Sequence, residues 1–344
     1  MLNEQNAKMV FFIFGLAFFL IFISCHEIET AKTRAETTGL LQRIKHAESQ
    51  QEYDKALKLI GNAEKEDNEI TAEIYFIKGN IHAALNSFEK ASKAYTEALR
   101  IDSNHSQSRN NLSLLLADQG YIHDAIKLLA SHTDDPISLS NTALFQSKLG
   151  NYNDAGKMLK KAIVLNPRDP TNYQQLGSLL LKQGRHNDAE KVIVKSWNLD
   201  STLVESARLM GLLYQEKDDS KRAIFFFRRA LLLDPNHLDS NYNLSMALAK
   251  IDQISESKIY MAKFEELSAR SAHIAQIRRL LDEQPHSSRL RVELATHYLH
   301  LNKIPEAEAQ YHIILDRDSL HIEALIKLTQ ISIQNKQLEK AKRF

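Results

Sequence analysis

The fold of this 344-residue chain is decided by two consecutive stretches that share one pattern. Residues 170–203 read PTNYQQLGSLLLKQGRHNDAEKVIVKSWNLDSTL, and residues 204–237 read VESARLMGLLYQEKDDSKRAIFFFRRALLLDPNH. Each has a glycine in its first half (Gly177, Gly211) and an alanine in its second half (Ala189, Ala223), 34 residues apart in both cases. A fixed period of this size is typical of proteins built from repeated supersecondary units.

The same period continues outward in both directions. We call the residues at the position of Ala189 and Ala223 in each unit the in-phase residues. Consecutive in-phase residues are 34 positions apart, except for one interval of 30 and one of 50. They are Ala91, Ala125, Ala155, Ala189, Ala223, Ser257, Ala307 and Ala341. Five positions before each of the first seven stands a residue that tolerates left-handed backbone geometry, namely Asn86, Gly120, Gly150, Gly184, Asp218, Asp252 and Asn302. The pattern predicts helix-turn-helix units with a turn at each of these positions.

This pattern resembles the tetratricopeptide repeat. The resemblance is tight over 72–263 and good over 288–344, where the last repeat is incomplete. Residues 26–71 read as a helical, degenerate first repeat, because Ala56 and Ala63 lie about one period before Ala91 and Ala98. Residues 264–287 read as an extra helix out of register. The resemblance implies an all-α fold, an α-solenoid of about eight helix pairs, some degenerate.

The repeated spacing of small and large residues within each unit is explained by the way its two helices pack. A glycine in the first helix (Gly79, Gly177, Gly211) lets the second helix of the pair approach closely. The alanine of the second helix fits against this crossing, and a larger residue four positions later lies on the same face and fills the gap.

The composition excludes several classes of protein. Only 10 glycines and 6 prolines leave little room for a hairpin-rich β protein, and 43% hydrophobic residues argue against disorder. The net charge of +1 argues against a nucleic-acid partner. Because Cys25 is the single cysteine, neither an intramolecular disulfide nor a multi-cysteine zinc site can form.

The amino-terminal segment predicts attachment to a membrane. Met9 to Ser24 is an uncharged run of sixteen residues, followed by Cys25. A spanning helix needs about 20 residues, so the run is marginal as a span. Residues 22–25 (FISC) resemble a bacterial lipobox, which implies that residues 1–25 hold a signal peptide that is cleaved just before Cys25 and that lipid is attached to this cysteine; an uncleaved membrane anchor in residues 1–25 is the alternative. Both place the membrane contact at residues 9–25 and favour a repeat body in the periplasm or outside the cell.

Signatures of catalysis are missing from the sequence. No Gly-x-Gly pair occurs, which excludes the glycine-rich nucleotide-binding fingerprint. The helix-spaced His297 and His300, with His312 on the next helix, are interpreted as surface histidines rather than metal ligands. Asp134-Asp135 and Asp218-Asp219 are interpreted as turn residues. Phe225–Phe227 could form an exposed apolar face, but they are interpreted as part of a second helix that is buried between its neighbours. We therefore expect a protein without catalytic residues, metal or cofactor.

The resemblance implies a binding surface along the concave face, which the first helices line. Amides mixed with apolar residues suit an extended peptide, because an amide can pair with both polar groups of a peptide backbone. The residues at the family's ligand-contact positions are Phe76, Asn80, Asn110, Leu114, Ser140, Leu144, Gln174, Ser178, Arg208, Leu212, Tyr242 and Met246. The same positions include Lys182 and Gln215. Asn110 and Gln174 are expected to be exposed amides.

Two functions remain open at this point. The first is a membrane-anchored scaffold for protein–protein interaction in assembly of a cell-envelope complex, with a protein or extended peptide in the groove and no nucleic acid or small-molecule substrate. The second is the substrate-selecting repeat region of a larger enzyme, for example a glycosyltransferase, with its catalytic domain beyond residue 344.

Overall fold

A computed structural model describes residues 36–50, 52–66, 70–85, 87–132, 134–315 and 317–334. All regular secondary structure within these ranges is α-helical, as predicted. Cys25 and the apolar run before it lie outside the described residues, as do Asn86 and Ala341. No helix in the described part of the chain combines the length and the apolar character that crossing a membrane requires.

The described chain divides into two compact units. The first consists of the described residues up to Ala83 together with Glu89–His105, and the second consists of Ala84–Phe88 and the described residues from Ser106 onward. Four helices lie wholly or largely in the first unit: α1 (36–49), α2 (Tyr53–Lys65), α3 (Ala72–Ala84) and α4 (Phe88–Ile101).

The second unit contains the remaining helices. They are α5 (Ser106–Asp118), α6 (Ile122–Leu129), α7 (Pro136–Lys148), α8 (Tyr152–Leu165), α9 (Pro170–Lys182), α10 (His186–Leu199), α11 (Val204–Glu216), α12 (Ser220–Leu233), α13 (Leu238–Lys250), α14 (Ile254–Glu283), α15 (Ser288–His300), α16 (Ile304–Leu315) and α17 (Ile322–Gln334). Odd-numbered helices are the first helices of the predicted pairs, and even-numbered helices are the second.

Helices in the second unit pack mainly against their sequence neighbours. Each first helix from α5 to α15 packs on the second helix of its own pair, and each second helix from α6 to α16 packs on the next first helix. In addition, α5 contacts α7, α7 contacts α9, α9 contacts α11, and α11 contacts α13. The first helices from α5 to α13 therefore lie side by side, which is the arrangement of a tetratricopeptide α-solenoid.

The predicted turn residues have the predicted backbone geometry. Positive φ angles occur at all six of the turn positions that the structure describes, and these residues are Gly120, Gly150, Gly184, Asp218, Asp252 and Asn302. The φ angle of Asp218, Asp252 and Asn302 is 58°. Among non-glycine residues, Asn and Asp accept this conformation most readily, because their short polar side chains can bond locally.

Local sequence also explains where several helices begin. Asp135 and Asp169 each precede a proline at the first helical position, and each side chain accepts backbone N–H bonds from the first turn. Asp219 caps α12 by accepting from the N–H of Arg222. Aspartate at the N-cap satisfies donors that the helix itself cannot, and proline is tolerated at N1 because its missing N–H is not needed there. Asp135 and Asp218-Asp219 are thus turn and cap residues, as the sequence indicates.

The in-phase residues form the centre of the helix crossings. Ala91, Ala125, Ala155, Ala189, Ala223 and Ala307 are 0% exposed. In three first helices, the glycine faces a large side chain of the second helix. A methyl group on Gly177 would lie 2.5 Å from Ile193, and one on Gly79 or Gly211 would collide with the ring of Tyr95 or Phe227. The close approach predicted from these glycines is confirmed.

The break in register after Ser257 has a different structure from the predicted one. Residues 264–287 do not begin a separate extra helix, because α14 runs without interruption over 30 residues. The preceding second helix, α12, has 14 residues, so α14 is sixteen residues longer. Its added length buries Ile274, Ile277 and Leu281 in a core shared with α15, α16 and α17. This extension separates the two blocks of repeats.

Candidate functional site

The predicted contact residues of the second unit stand on its adjacent first helices. We call the surface formed by α5, α7, α9, α11 and α13 the first-helix face. Leu114, Tyr242 and Met246 are between 37% and 44% exposed, which is unusual for large apolar side chains. Leu144, Ser178, Arg208 and Leu212 are partly exposed. A helix whose outer side carries accessible apolar groups beside polar ones is suited to contact another chain.

An open cleft of about 220 Å³ lies in the middle of this face. Its walls come from α7, α8, α9 and α11, and they are Ala143, Leu144, Ser147, Leu159, Gln174, Gln175, Ser178, Leu179, Lys182 and Glu205. Four of the residues at family contact positions, Leu144, Gln174, Ser178 and Lys182, thus line one cleft. Apolar walls with a few polar groups are the usual composition of a binding pocket.

The cleft contains an amide acceptor whose donor is missing. The Oε1 atom of Gln175 is buried and has no hydrogen-bond donor among the residues that the structure describes. The same holds for Oε1 of Gln215 on α11. Buried polar atoms are nearly always bonded, so such an acceptor calls for an explanation, and a ligand N–H is one. Sequence reasoning missed Gln175 because it selected the adjacent Gln174 by family position.

Hydrogen bonds within the protein hold the polar residues beside the cleft in place. Nε2 of Gln174 donates to Oγ of Ser206 at 2.8 Å, which joins α9 to α11. Arg208 donates two hydrogen bonds to Glu205, at 2.7 and 2.6 Å. Burial opposes the charged form of Arg208, but these bonds outweigh it, so the pKa of Arg208 is raised. Arg208 therefore stays charged and is held by Glu205.

Two predicted contact residues are buried between helices instead of being available to a ligand. Asn110 is 4% exposed, and Ser140 is 8% exposed. Nδ2 of Asn110 donates to Asp135 at 3.0 Å, and its Oδ1 accepts from Ser138 at 3.0 Å. The expectation that Asn110 is an exposed amide is wrong, because both polar atoms of its side chain join α5 to the start of α7. The same expectation is wrong for Gln174, which borders the cleft but is buried, at 8% exposure.

In the first unit, both predicted contact residues pack against second-helix aromatic groups. Asn80 accepts a hydrogen bond from the hydroxyl of Tyr95 at 2.9 Å. The Phe76 ring lies 6.2 Å from Tyr95 and 5.4 Å from His105, measured between ring centroids. Both side chains are partly exposed, and their contacts with Tyr95 join α3 to α4.

The first unit also has a cleft that the sequence did not predict. Its volume is about 490 Å³, and it is lined by Glu64, Tyr75, Lys78, His82, Lys90, Lys93, Ala94 and Glu97. Burial, with the nearby Lys90 and Lys78, lowers the pKa of His82 to about 4, so this imidazole is neutral at pH 7. The residues are spread over three helices, and no local motif marks them.

The phenylalanine run on α12 is only partly buried. Phe227 is 0% exposed, but Phe225 is 62% exposed. Phe226 lies between them in exposure and stacks on Tyr214, with 5.4 Å between ring centroids. The prediction that all three rings are buried is therefore wrong for Phe225. Successive residues of a helix point about 100° apart, so three in a row cannot all face the core of one helix pair.

Comparison with known proteins supports the repeat assignment. Three segments match models described as tetratricopeptide repeat, at residues 72–105, 158–191 and 209–237. Human protein O-mannosyl-transferase TMTC3 is 24% identical over 174 residues, which is 48% of this chain and 19% of that protein. The TPR repeat-containing protein MJ1428 of Methanocaldococcus jannaschii is 27% identical over 155 residues, which is 41% of this chain and 26% of that protein. The chain thus matches about a fifth to a quarter of the length of these relatives.

Solved structures with the same architecture include the proteins PilF and PilW. Pseudomonas aeruginosa PilF superposes with a TM-score of 0.54 and 16% identity, over 64% of this chain and 99% of PilF. PilW, a widely conserved type IV pilus biogenesis factor, gives a TM-score of 0.52 and 18% identity, over 62% of this chain and 98% of PilW. At these identities the likeness concerns the fold alone. Together with the helix pairs and their glycine crossings, these matches identify an all-α protein built from tetratricopeptide repeats.

Proposed function

We propose that this protein is a non-enzymatic scaffold that binds an extended segment of a partner protein along its first-helix face. The observation that carries the proposal is the open cleft between α7, α9 and α11, which is lined by Leu144, Leu179 and Gln175, the last with no hydrogen-bond partner for its Oε1 among the described residues. An extended peptide supplies backbone N–H groups for such an acceptor and side chains for the apolar walls.

The charges at the cleft favour a partner segment of mixed polarity. Lys182 lines one side, and Glu205 lines the other, where it is held by Arg208. The cleft therefore has one positive group, Lys182, and one carboxylate, Glu205, whose charge is balanced by Arg208. Because neither sign of charge dominates, the cleft favours neither a strongly acidic nor a strongly basic peptide. Specificity then comes mainly from the fit of apolar groups against Leu144 and Leu179.

Affinity capture with two matched charge reversals tests this function. Lys182→Glu changes the cleft, and Lys160→Glu makes the same change at an exposed position on the second helix α8. A third variant, Ser178→Arg, fills the cleft. Proteins retained by the wild type and quantified by mass spectrometry should be lost with Ser178→Arg, reduced with Lys182→Glu and unchanged with Lys160→Glu. Equal retention by all variants would place binding elsewhere on the surface.

We also propose that the scaffold is attached to a membrane at the cell envelope. The support is the uncharged run Met9–Ser24 followed by the single cysteine, Cys25. One acyl chain binds a membrane only weakly, whereas two or more hold a protein stably, so a multiply acylated Cys25 would replace a marginal spanning helix. Intact-mass spectrometry of the wild type and Cys25→Ser distinguishes this from an uncleaved anchor: acyl mass on a chain beginning at Cys25 supports lipidation, and an unmodified chain beginning at Met1 contradicts it.

A second candidate function is a repeat region that selects the substrate of a larger enzyme. The match to an O-mannosyl-transferase favours this candidate. This candidate requires a catalytic domain beyond residue 344. Determining the reading frame past that codon and assaying the whole product for sugar transfer separates the two functions.

A further inference from the structure

Two histidines and one glutamate come together where α14 meets α15. His273 belongs to the extended half of α14, and Glu293 and His297 stand one turn apart on α15. Each residue directs one potential metal-ligand atom into the cluster, and these atoms all lie within 4.8 Å of one another. Nε2 of His273 is 2.8 Å from Oε1 of Glu293, and the two imidazole rings are 4.8 Å apart at their centroids.

One ring nitrogen of His297 is buried and unpaired. Nδ1 of His297 has no hydrogen-bond partner in the part of the chain that the structure describes. An imidazole nitrogen buried in this way is expected to be bonded to a polar group, a water or a metal ion. A metal ion binds an imidazole through a ring nitrogen that carries no proton.

We propose that His273, Glu293 and His297 form a zinc-binding site that joins α14 to α15. Two imidazoles and one carboxylate are ligands that zinc prefers, and three protein ligands leave a fourth tetrahedral position for water. Glu293 and His297 are four residues apart on one helix, a spacing that places both side chains on the same face.

The geometry requires only small side-chain movements. In a tetrahedral site with metal–ligand bonds of about 2.0–2.2 Å, ligand atoms are about 3.3–3.5 Å apart. The 2.8 Å contact between His273 and Glu293 must therefore widen, and the widest separation of 4.8 Å must close. The side chains of His273 and Glu293 are 43% and 38% exposed, so both have room to rotate, and the metal has a path of entry.

The charge around the cluster is compatible with a cation. Arg270 lies one turn before His273, but it is paired with Glu266 at 2.9 Å. On α15, His300 is the other titratable group that acts on His297. Glu293 is the carboxylate within the cluster and supplies the negative charge that a divalent cation needs.

The position of the site gives it a mechanical role. The extended half of α14 and the helix α15 are the junction between the first block of repeats and the second, and Arg278 on α14 also bonds Tyr298 on α15 at 2.7 Å. A metal held by both helices would strengthen this junction. The sequence could not indicate the site, because it suggested His297 with His300 and His312, whereas the structure places His297 beside His273 and Glu293.

The test uses the full chain, stripped of metal with a chelator, and zinc as the probe. Calorimetric titration should show one site in the wild type, and cobalt should give the visible absorption of a tetrahedral complex. Glu293→Gln and His273→Asn should each weaken zinc binding by at least tenfold. His300→Asn removes a neighbouring histidine of the same helix outside the cluster and should bind as the wild type does.

Thermal unfolding provides a second measurement. Zinc should raise the unfolding temperature of the wild type and of His300→Asn, and should leave Glu293→Gln unchanged, because a ligand stabilises only the state that binds it. Glu293→Gln keeps the size and a hydrogen-bonding oxygen of the side chain, and circular dichroism confirms its folding. The proposal is overturned if the wild type does not bind zinc, or if Glu293→Gln and His273→Asn bind it as tightly as the wild type.

Discussion

Two consecutive helix pairs of the second unit cross closely, but different residue types occupy the two crossings. In the α11–α12 pair, Gly211 faces the second helix that carries Ala223. In the α13–α14 pair, the residues one period later are Ser245 and Ser257. Each serine hydroxyl donates to the backbone carbonyl of the other serine, at 3.0 and 2.9 Å. Ser245 is 0% exposed and Ser257 is 8% exposed.

The difference shows that close helix crossing does not require the absence of a side chain. At α11–α12 the space left by glycine is filled by the Phe227 ring. At α13–α14 two small hydroxyls occupy the crossing, and each finds a partner on the opposite helix. Buried polar groups are tolerated when they are bonded, so a serine pair can replace a glycine and an alanine together. We therefore expect the contributions of the two serines to stability to depend on each other.

The largest effect should come from removing the ring that fills the glycine crossing. Phe227 is 0% exposed, so Phe227→Ala should destabilise the protein by about 3–5 kcal/mol through lost burial and the cavity left behind. Met261, one period later on α14, is only partly buried, and Met261→Ala should have a smaller effect. Denaturant unfolding followed by circular dichroism measures both.

Phe225→Ala is the matched control for this prediction. The residue type, the helix and the substitution are the same, but Phe225 is 62% exposed. Its effect should stay within about 0.5 kcal/mol. Equal losses for Phe225→Ala and Phe227→Ala would contradict the claim that Phe227 fills the crossing.

A single methyl group at the glycine should have the next largest effect. Because the added carbon would collide with the Phe227 ring, Gly211→Ala should destabilise by about 1–3 kcal/mol. Gly156 stands inside α8, and a methyl group there would meet Leu179 at an ordinary 3.5 Å. Gly156→Ala should therefore stabilise by about 0.5–1 kcal/mol, because alanine is the better helix former. The same sign for both changes, measured by unfolding midpoint, would rule out close approach as the reason for Gly211.

At the serine crossing, the effects of removing the two hydroxyls should not add up. Ser245→Ala or Ser257→Ala alone should destabilise by about 0.5–1.5 kcal/mol, since each removes a buried hydrogen bond. The double variant should lose less than the sum of the two, because the hydroxyls interact directly. Combining Ser257→Ala with Gly156→Ala, in a different helix pair, should give additive effects. Additivity at the serine pair would mean that the two hydroxyls act independently.

The smallest effect concerns the start of the second helix in each pair. Asp219 caps α12 with its side chain, whereas Gln253, one period later, makes no side-chain cap at α14. The two residues have similar backbone angles, with φ of −93° and −82°. Gln253→Asp should therefore supply the missing cap and stabilise by about 0.5–1 kcal/mol, and Asp219→Ala should destabilise by a similar amount. A thermal melt that moves in the same direction for both variants would contradict this.

The sequence alone determined the features that depend on residues close together in the chain. The 34-residue period, the positive-φ turns at Gly120 to Asn302, and the small residues at each crossing were all readable, because each follows from helical periodicity and the backbone preference of single residues. The identity of the helix pairs followed from the same signals. Membrane attachment through Cys25 stays a prediction.

Tertiary structure decided what depends on the neighbouring repeat. It buried Asn110 between α5 and α7, exposed Phe225, and continued α14 through the point where an extra helix was expected. It also brought Gln175 into the cleft, although the sequence had pointed to the residue beside it. Periodicity places a side chain on one side of its own helix, but burial is set by the helices that pack there. The cluster around His297 is the clearest case, because His273 reaches it only through the added length of α14 and its packing against α15.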